Sequence, residues 1–197
     1  HQLTLALLAA PKSELGGIIL CQGLSFVTRD TDVSSMESGG RSAVMMDKME
    51  GDAGVEQLGH REYVGGLWDE MGKLQFDFMV SQGLSPEHTM LDIACGALRG
   101  GVHFIRYLDS GNYLGMDKEA QLIERGLEHE LGLEMKAEKT PEFVISGEFE
   151  FARFTKKPDY CLAQSLFSHF VPDDMRFCLR QLRGHVNPGC RFYVTFL

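Results

Sequence analysis

The sequence predicts a three-layer α/β fold, a mostly parallel sheet flanked by helices. Short apolar runs bounded by turn residues alternate with stretches whose apolar residues recur at helical spacing. Several of those runs end in an acid or a glycine, as strands do when they deliver side chains to a crevice at the carboxyl edge of a parallel sheet.

The elements follow in order. From residue 1 to 59 no period is sustained, and 34–54 is dense in Gly, Ser, Met and Asp, so this part is expected to be a flexible or irregular leader. IILCQGLSFV, before and around Val27, is apolar enough for one short packed element. The folded domain is expected over 60–197. Leu67, Met71, Leu74 and Phe78 mark an amphipathic helix that Gly83 stops. TMLDIAC is the first buried strand, Val102, Ile105 and Leu108 mark a helix, and YLGMD is the second strand after the turn DSGN. Leu122, Ile123, Leu127 and Leu131 place the next helix. FVIS and DYCLAQ are the third and fourth strands, with few helical residues between them, so one crossover is expected to be short. Met175, Cys178, Leu179 and Leu182 give a helix with Asp173 and Asp174 at its positive end, and NPG turns into a last strand, CRFYVTFL.

Composition narrows the function classes. The 197 residues suffice for one well-buried core. A net charge of −9 disfavours a general grip on nucleic acid, which relies on Lys and Arg. Five cysteines without a CxxC pair suggest neither a disulfide framework nor a zinc knuckle, and the histidines show no metal spacing. LTLALLAA is far shorter than a membrane span and lacks a basic flank. Cytoplasmic location, no membrane partner and no metal are therefore expected.

The chemistry concentrates in MLDIACGALRGG, residues 90–101. An apolar strand delivers Asp92 and a glycine turn into a helix. A dinucleotide site would place GxGxxG here to seat a diphosphate; Ala94, Gly96 and Leu98 stand instead. An acid inside the strand repels a diphosphate and suits a ligand with a positive amino group and a sulfonium. Asp117, at the end of YLGMD, can accept from two ribose hydroxyls at once. Each acid also has a plainer reading as a cap for the turn or helix that follows.

Taken together, these segments resemble class I S-adenosylmethionine-dependent methyltransferases over roughly 63–197. The resemblance rests on the glycine loop, YVGGLWDEMGKLQ before it, YLGMDKE, GEFEFARF, DYCLAQSLFSHF and PGCRFYVTF. It implies a Rossmann-like fold, S-adenosylmethionine as cofactor and methyl transfer to a small-molecule acceptor. By that similarity Asp92, Ala94, Gly96, Arg99 and Gly100 line the methionine part of the cofactor, and Asp117 and Lys118 face the ribose and adenine. Glu148 and Phe149 match the acid and apolar wall for the adenine. Gln164 and Ser165 match the strand end beside the methyl group, and Trp68 and Gln75 the helix closing over the cofactor. Two departures stand out: Ala94 and Leu98 occupy positions where many members have glycine, and the chain stops at the fifth strand of a sheet that normally has seven, so the final strands are expected to be missing. A non-catalytic fold acting as an interaction module is the alternative.

Methyl transfer asks mainly for alignment, with a base where the acceptor is a hydroxyl or acidic carbon. His169, just past the fourth strand, is the candidate base. Its plainer reading is a turn or packing histidine.

Overall fold

The computed structural model describes residues 4–8, as backbone, and 52–195. Among the described residues six strands form one parallel sheet in the order β1-β6-β5-β2-β3-β4. They are β1 (Thr4–Leu8), β2 (Met90–Ile93), β3 (Tyr113–Asp117), β4 (Glu142–Ile145), β5 (Tyr160–Ala163) and β6 (Arg191–Thr195). The five strands read from the sequence are all present, and β1 adds a sixth by pairing Thr4 with Arg191 through Leu8 with Thr195. The chain steps outward from β2 to β3 and β4, then returns to the other side of β2 with β5 and β6. That reversal puts the switch point of the sheet at β2, where open α/β sheets form their ligand crevice.

Helices cover both faces, which is why the strands read as near-continuous apolar runs. One face packs Met90, Tyr113, Leu162 and Tyr193 against α3 (Trp68–Ser81) and α4 (Gly101–Tyr107), through Met79, Phe104 and Ile105. The other packs Leu91, Ile93, Leu114, Met116 and Phe192 against α7 (Pro172–Gly184), through Cys178 and Leu182. The crossover between β4 and β5 holds only a single 3-10 turn, Phe151–Arg153, as its sparse helical pattern led one to expect.

The helix α3 is where the expected face moves. Leu67 and Leu74 are 51% and 42% exposed, whereas Trp68, Gly72, Gln75 and Met79 are buried. The cause is Gly72: a Cβ there would sit 2.4 Å from the Arg99 carbonyl oxygen, so the helix docks on the loop after β2 through its glycine rather than its leucine stripe. A parallel contact holds the opposite flank. Helix α5 (Ala120–Arg125) runs into a π-helical stretch, Gly126–Leu131, and a Cβ on Gly126 would meet the Ala97 carbonyl at 2.4 Å. Two glycines thus let two helices clasp the same loop. Helix α6 (Leu133–Lys139) then leads to β4.

Strand β4 is one edge of the sheet. The Glu142 carboxylate accepts from Thr155 N–H and Oγ1, and Arg153 Nη1 donates to the Ile145 carbonyl at 3.2 Å.

Within the range expected to be an irregular leader, Thr4–Leu8 is a strand, Asp52–Leu58 is helix α1 and His60–Tyr63, just beyond it, is the short helix α2. Residues 9–51, including the element expected near Val27, lie outside the described residues. Among the described residues no helix is long and apolar enough to cross a membrane.

Candidate functional site

The site is built on the exit of β2. Asp92 pairs in register with Gly115, and Asp117 lies two residues further along β3, so both acids project from the same face of the sheet. Asp92 is 5% exposed. The Tyr113 hydroxyl donates to its Oδ2 at 2.9 Å, and Oδ1 receives no donor among the described residues. Burial pushes the Asp92 carboxyl up to about 7; the Tyr113 hydrogen bond and the charge of Arg99 oppose that rise, and the charge of Asp117 adds to it.

Past Asp92 the chain turns with Ala94 at φ 62°, Gly96 at φ 53° and Leu98 at φ 66°. The loop keeps the left-handed backbone usually given to glycine, although two of these three residues carry side chains. For L-residues that conformation costs about 1–2 kcal/mol each and is held only by its surroundings. Those surroundings are visible: Leu98 is fully buried, Cys95 N–H donates to the Met116 carbonyl at 3.0 Å, and Gly72 and Gly126 press from either side. Phe149 and Ser165 repeat the pattern after β4 and β5, with φ of 52° and 57°. Four of the strained residues therefore stand on one edge of the sheet.

Asp117 closes the turn. Its Oδ2 accepts from Gly96 N–H at 2.7 Å and its Oδ1 from Glu119 N–H at 2.9 Å, so the carboxylate ties the glycine turn to the residue preceding α5. Burial raises its pKa, and the N–H groups of Glu119, Gly96 and Lys118 oppose the rise. The N-cap of α5 is Glu119, without a side-chain cap bond, so Asp117 bridges the turn ahead of the helix and does not act as the N-cap weighed from the sequence.

A strap of chain, α1 and α2, lies over this loop. Val55 and Trp68 are buried against Ala97 and Leu122, and a Cβ on Gly96 would meet Val64 Cγ1 at 3.2 Å. Arg99 Nη1 donates to the Gly66 carbonyl at 2.9 Å. The Gln75 side chain reaches the backbone of Gly100, where a Cβ would meet its Oε1 at 2.3 Å. The strap is anchored by Glu130, whose carboxylate takes both Arg61 Nε at 2.8 Å and Nη2 at 2.6 Å, with His60 Nε2 at 2.6 Å. Burial alone would raise the Glu130 pKa; the hydrogen bonds from Arg61 and His60 outweigh it and hold the group below its ordinary value. Arg61 also lies 5.1 Å over the Trp68 ring.

Of the residues singled out in the sequence, Asp92, Ala94, Gly96, Arg99, Gly100 and Asp117 form one cluster, with Trp68 and Gln75 packed over it. Lys118 is exposed, pairs with Glu119 at 3.7 Å and lies beside Gly147, whose added Cβ would be 3.6 Å from Lys118 Cβ. Glu148 is exposed at that same turn, which is held to β3 by Ser146 N–H on the Asp117 carbonyl. Phe149 turns away into a ring cluster with Phe151, Phe170 and Phe177. Gln164 donates to Ser165 Oγ at 3.2 Å, and Ser165 N–H donates to Thr195 Oγ1 at 2.6 Å. His169 is exposed on the 3-10 turn Phe167–His169 and makes no hydrogen bond or ring contact with the acids. Tyr113, Thr195 and Glu130 were not picked out from the sequence. A strand tyrosine reads as core, and the partners of Glu130 lie 69 and 70 residues away.

Comparison with known proteins agrees with this geometry. The family model described as "Methyltransferase domain" matches residues 91–192, just over half of the chain. Among solved structures, the PH0226 protein from Pyrococcus horikoshii OT3 is 17% identical with a TM-score of 0.53, the match covering 68% of this chain and 60% of that one. The glycopeptide N-methyltransferase MtfA, complexed with (S)-adenosyl-L-methionine, is 15% identical with a TM-score of 0.51 over 61% of this chain and 52% of its own. DhpI, in a complex with SAH, is 17% identical with a TM-score of 0.51 over 68% and 62%. These likenesses show the fold, and in each the chain spans less than two thirds of the other protein's length. The match that covers both acids, the glycine turn and the strands around them shows that this chain belongs to the methyltransferase domain family.

Proposed function

We propose that the chain binds S-adenosylmethionine across the carboxyl ends of β2, β3 and β5 and transfers its methyl group to a small-molecule acceptor. The observation that carries this reading is the pair Asp92 and Asp117, buried on one face beside a glycine turn, with Asp92 Oδ1 given no donor among the described residues.

The residues fit such a ligand. Asp92 Oδ1 offers a carboxylate to an ammonium group, and Arg99 brings a guanidinium beside it for a ligand carboxylate. Asp117 keeps lone pairs beyond those facing the N–H groups, left to accept from ribose hydroxyls. Gln121 Oε1, buried in the first turn of α5, has no donor among the described residues. A diphosphate would meet the Asp92 carboxylate instead, which disfavours a dinucleotide. When bound, the sulfonium supplies an already activated methyl group, so alignment is the main task left to the chain.

Ala94, Gly96 and Gly100 border the methionine part, and Lys118, Glu148 and Phe149 the adenine side. Gln164 and Ser165 border the cofactor beside its methyl group, with His169 as base where the acceptor must lose a proton. Trp68 and Gln75 close the site from above. Val64 rests on the glycine turn and is followed by the run Gly65, Gly66, Leu67, with φ of 98°, 60° and 43°, which leads into α3. A cytoplasmic location and the absence of nucleic-acid and membrane partners belong to the same proposal.

Calorimetric titration with S-adenosylhomocysteine tests it. Binding is expected, with at least about a tenfold loss, about 1.4 kcal/mol, in Asp117→Ala. Equal affinity in that variant removes Asp117 from the site. Binding without methyl transfer to any acceptor would favour the interaction-module alternative.

A further inference from the structure

We propose that Tyr113 is a positioning residue for ligand binding: its buried hydroxyl holds Asp92 by Oδ2 so that Oδ1 is presented, as a carboxylate, to the cationic part of the ligand. This rests on the cofactor reading above and adds a residue that contacts the ligand only through Asp92.

The geometry is specific. Tyr113 is 2% exposed and lies two residues before Gly115, the register partner of Asp92. Its hydroxyl sits directly under the start of α4, where a Cβ on Gly101 would come within 2.6 Å of it. The ring is held by Phe143 at 6.0 Å between centroids, and a Cβ on Gly115 would meet the Phe143 ring at 2.7 Å and Tyr113 Cε1 at 3.1 Å. The missing side chain at 101 therefore leaves room for the Tyr113 hydroxyl beside Asp92, and the one at 115 leaves room for the Phe143 ring packed against Tyr113.

The electrostatics assign the direction of the effect. The ionisable groups acting on Asp92 are Tyr113 and Asp117 from β3, and Arg99 and Cys95 from the glycine loop. Tyr113 and Arg99 favour the carboxylate; burial and Asp117 oppose it. Burial and the neighbouring Asp92 push the Tyr113 phenol well above its ordinary value, as burial does the Cys95 thiol, so Tyr113 stays a donor throughout the neutral range. Losing its hydrogen bond shifts Asp92 further towards its neutral form, which still offers an acceptor oxygen but no charge to a cation.

The test compares the wild-type chain with Tyr113→Phe, a change that keeps the ring. The Asp92 carboxyl is titrated by 13C NMR in the ligand-free protein, and S-adenosylhomocysteine and adenosine are titrated by calorimetry from pH 5.5 to 8.5. In Tyr113→Phe the Asp92 midpoint is expected to rise, and S-adenosylhomocysteine to bind about tenfold more weakly at pH 7 with recovery towards pH 8.5. Adenosine, which lacks the ammonium group, is expected to bind both forms alike. An unchanged midpoint and pH profile overturns the Tyr113 assignment while leaving the cofactor reading intact. Equal losses for both ligands at every pH also overturn it, by showing a merely structural role. If the wild type binds neither ligand while the NMR midpoint still shifts, it is the cofactor reading that fails.

Discussion

The two ends of the parallel sheet handle their polar groups in opposite ways. At the amino end Asp159 has both oxygens engaged, one by Thr89 N–H at 2.9 Å and one by Asn187 Nδ2 at 2.8 Å, while Arg191 donates to the Gln82 carbonyl at 2.6 Å and to the Tyr160 hydroxyl at 3.3 Å. At the carboxyl end Asp92 is buried with one oxygen open, beside a second acid and a loop in left-handed conformations. The first arrangement clips strands and connections together. The second stores unfavourable burial that a ligand of opposite charge can relieve. One fold thus separates the groups that stabilise it from those available for binding.

Neutralising Asp92 is the largest way to break this contrast. Its folded pKa of about 7 lies above the ordinary 3.8, so the folded form holds the proton more tightly. Stability from this group is full below about pH 4, declines as pH rises towards 7 and is lost above it. Asp92→Asn is therefore expected to stabilise the ligand-free chain at pH 8 by roughly 2–4 kcal/mol, and to flatten its stability between pH 5 and 8, in urea denaturation. A loss of stability at pH 8 would place Asp92 among the structural acids. Asp159→Ala is expected to go the other way, costing about 1–2 kcal/mol by leaving the Thr89 N–H without its partner. The smallest effect belongs to Ala94→Gly, which removes a left-handed alanine at the price of a freer unfolded chain; a net gain of about 0.5 kcal/mol, or about 1–2 °C in Tm, is expected by calorimetry. A drop in Tm would mean that the alanine methyl group contributes more than its backbone strain costs.

Much of this was legible in the sequence because the relevant signals are local. Each strand from TMLDIAC onward is an apolar run closed by turn residues, and the acids at 92 and 117 are visible at their ends. What escaped depends on distant partners. The LTLALLAA run carries no sign of a strand until β6 is placed beside Thr4–Leu8. The buried face of α3 is set by where Gly72 meets the Arg99 carbonyl, so hydrophobic periodicity, which weighs leucine above glycine, points to the wrong stripe. Tyr113 looks like any strand aromatic until β2 and β3 are in register. The left-handed loop was the most instructive case: Ala94 and Leu98 remove the glycine signal, yet the clasp formed by Gly72 and Gly126 keeps the turn.

The rim formed by β4 has a consequence for how copies of the chain meet. An open strand edge invites a neighbour to extend the sheet by hydrogen bonding to its free amides and carbonyls. Here Arg153, itself paired with Glu150, already donates to the carbonyl of Ile145, and Glu142 is held by Thr155, so an incoming strand would have to compete with a tethered guanidinium and disturb the Glu142 contacts. Growth of the sheet in that direction, the first step towards a fibrillar aggregate, is thereby discouraged by side chains that take no part in the proposed chemistry.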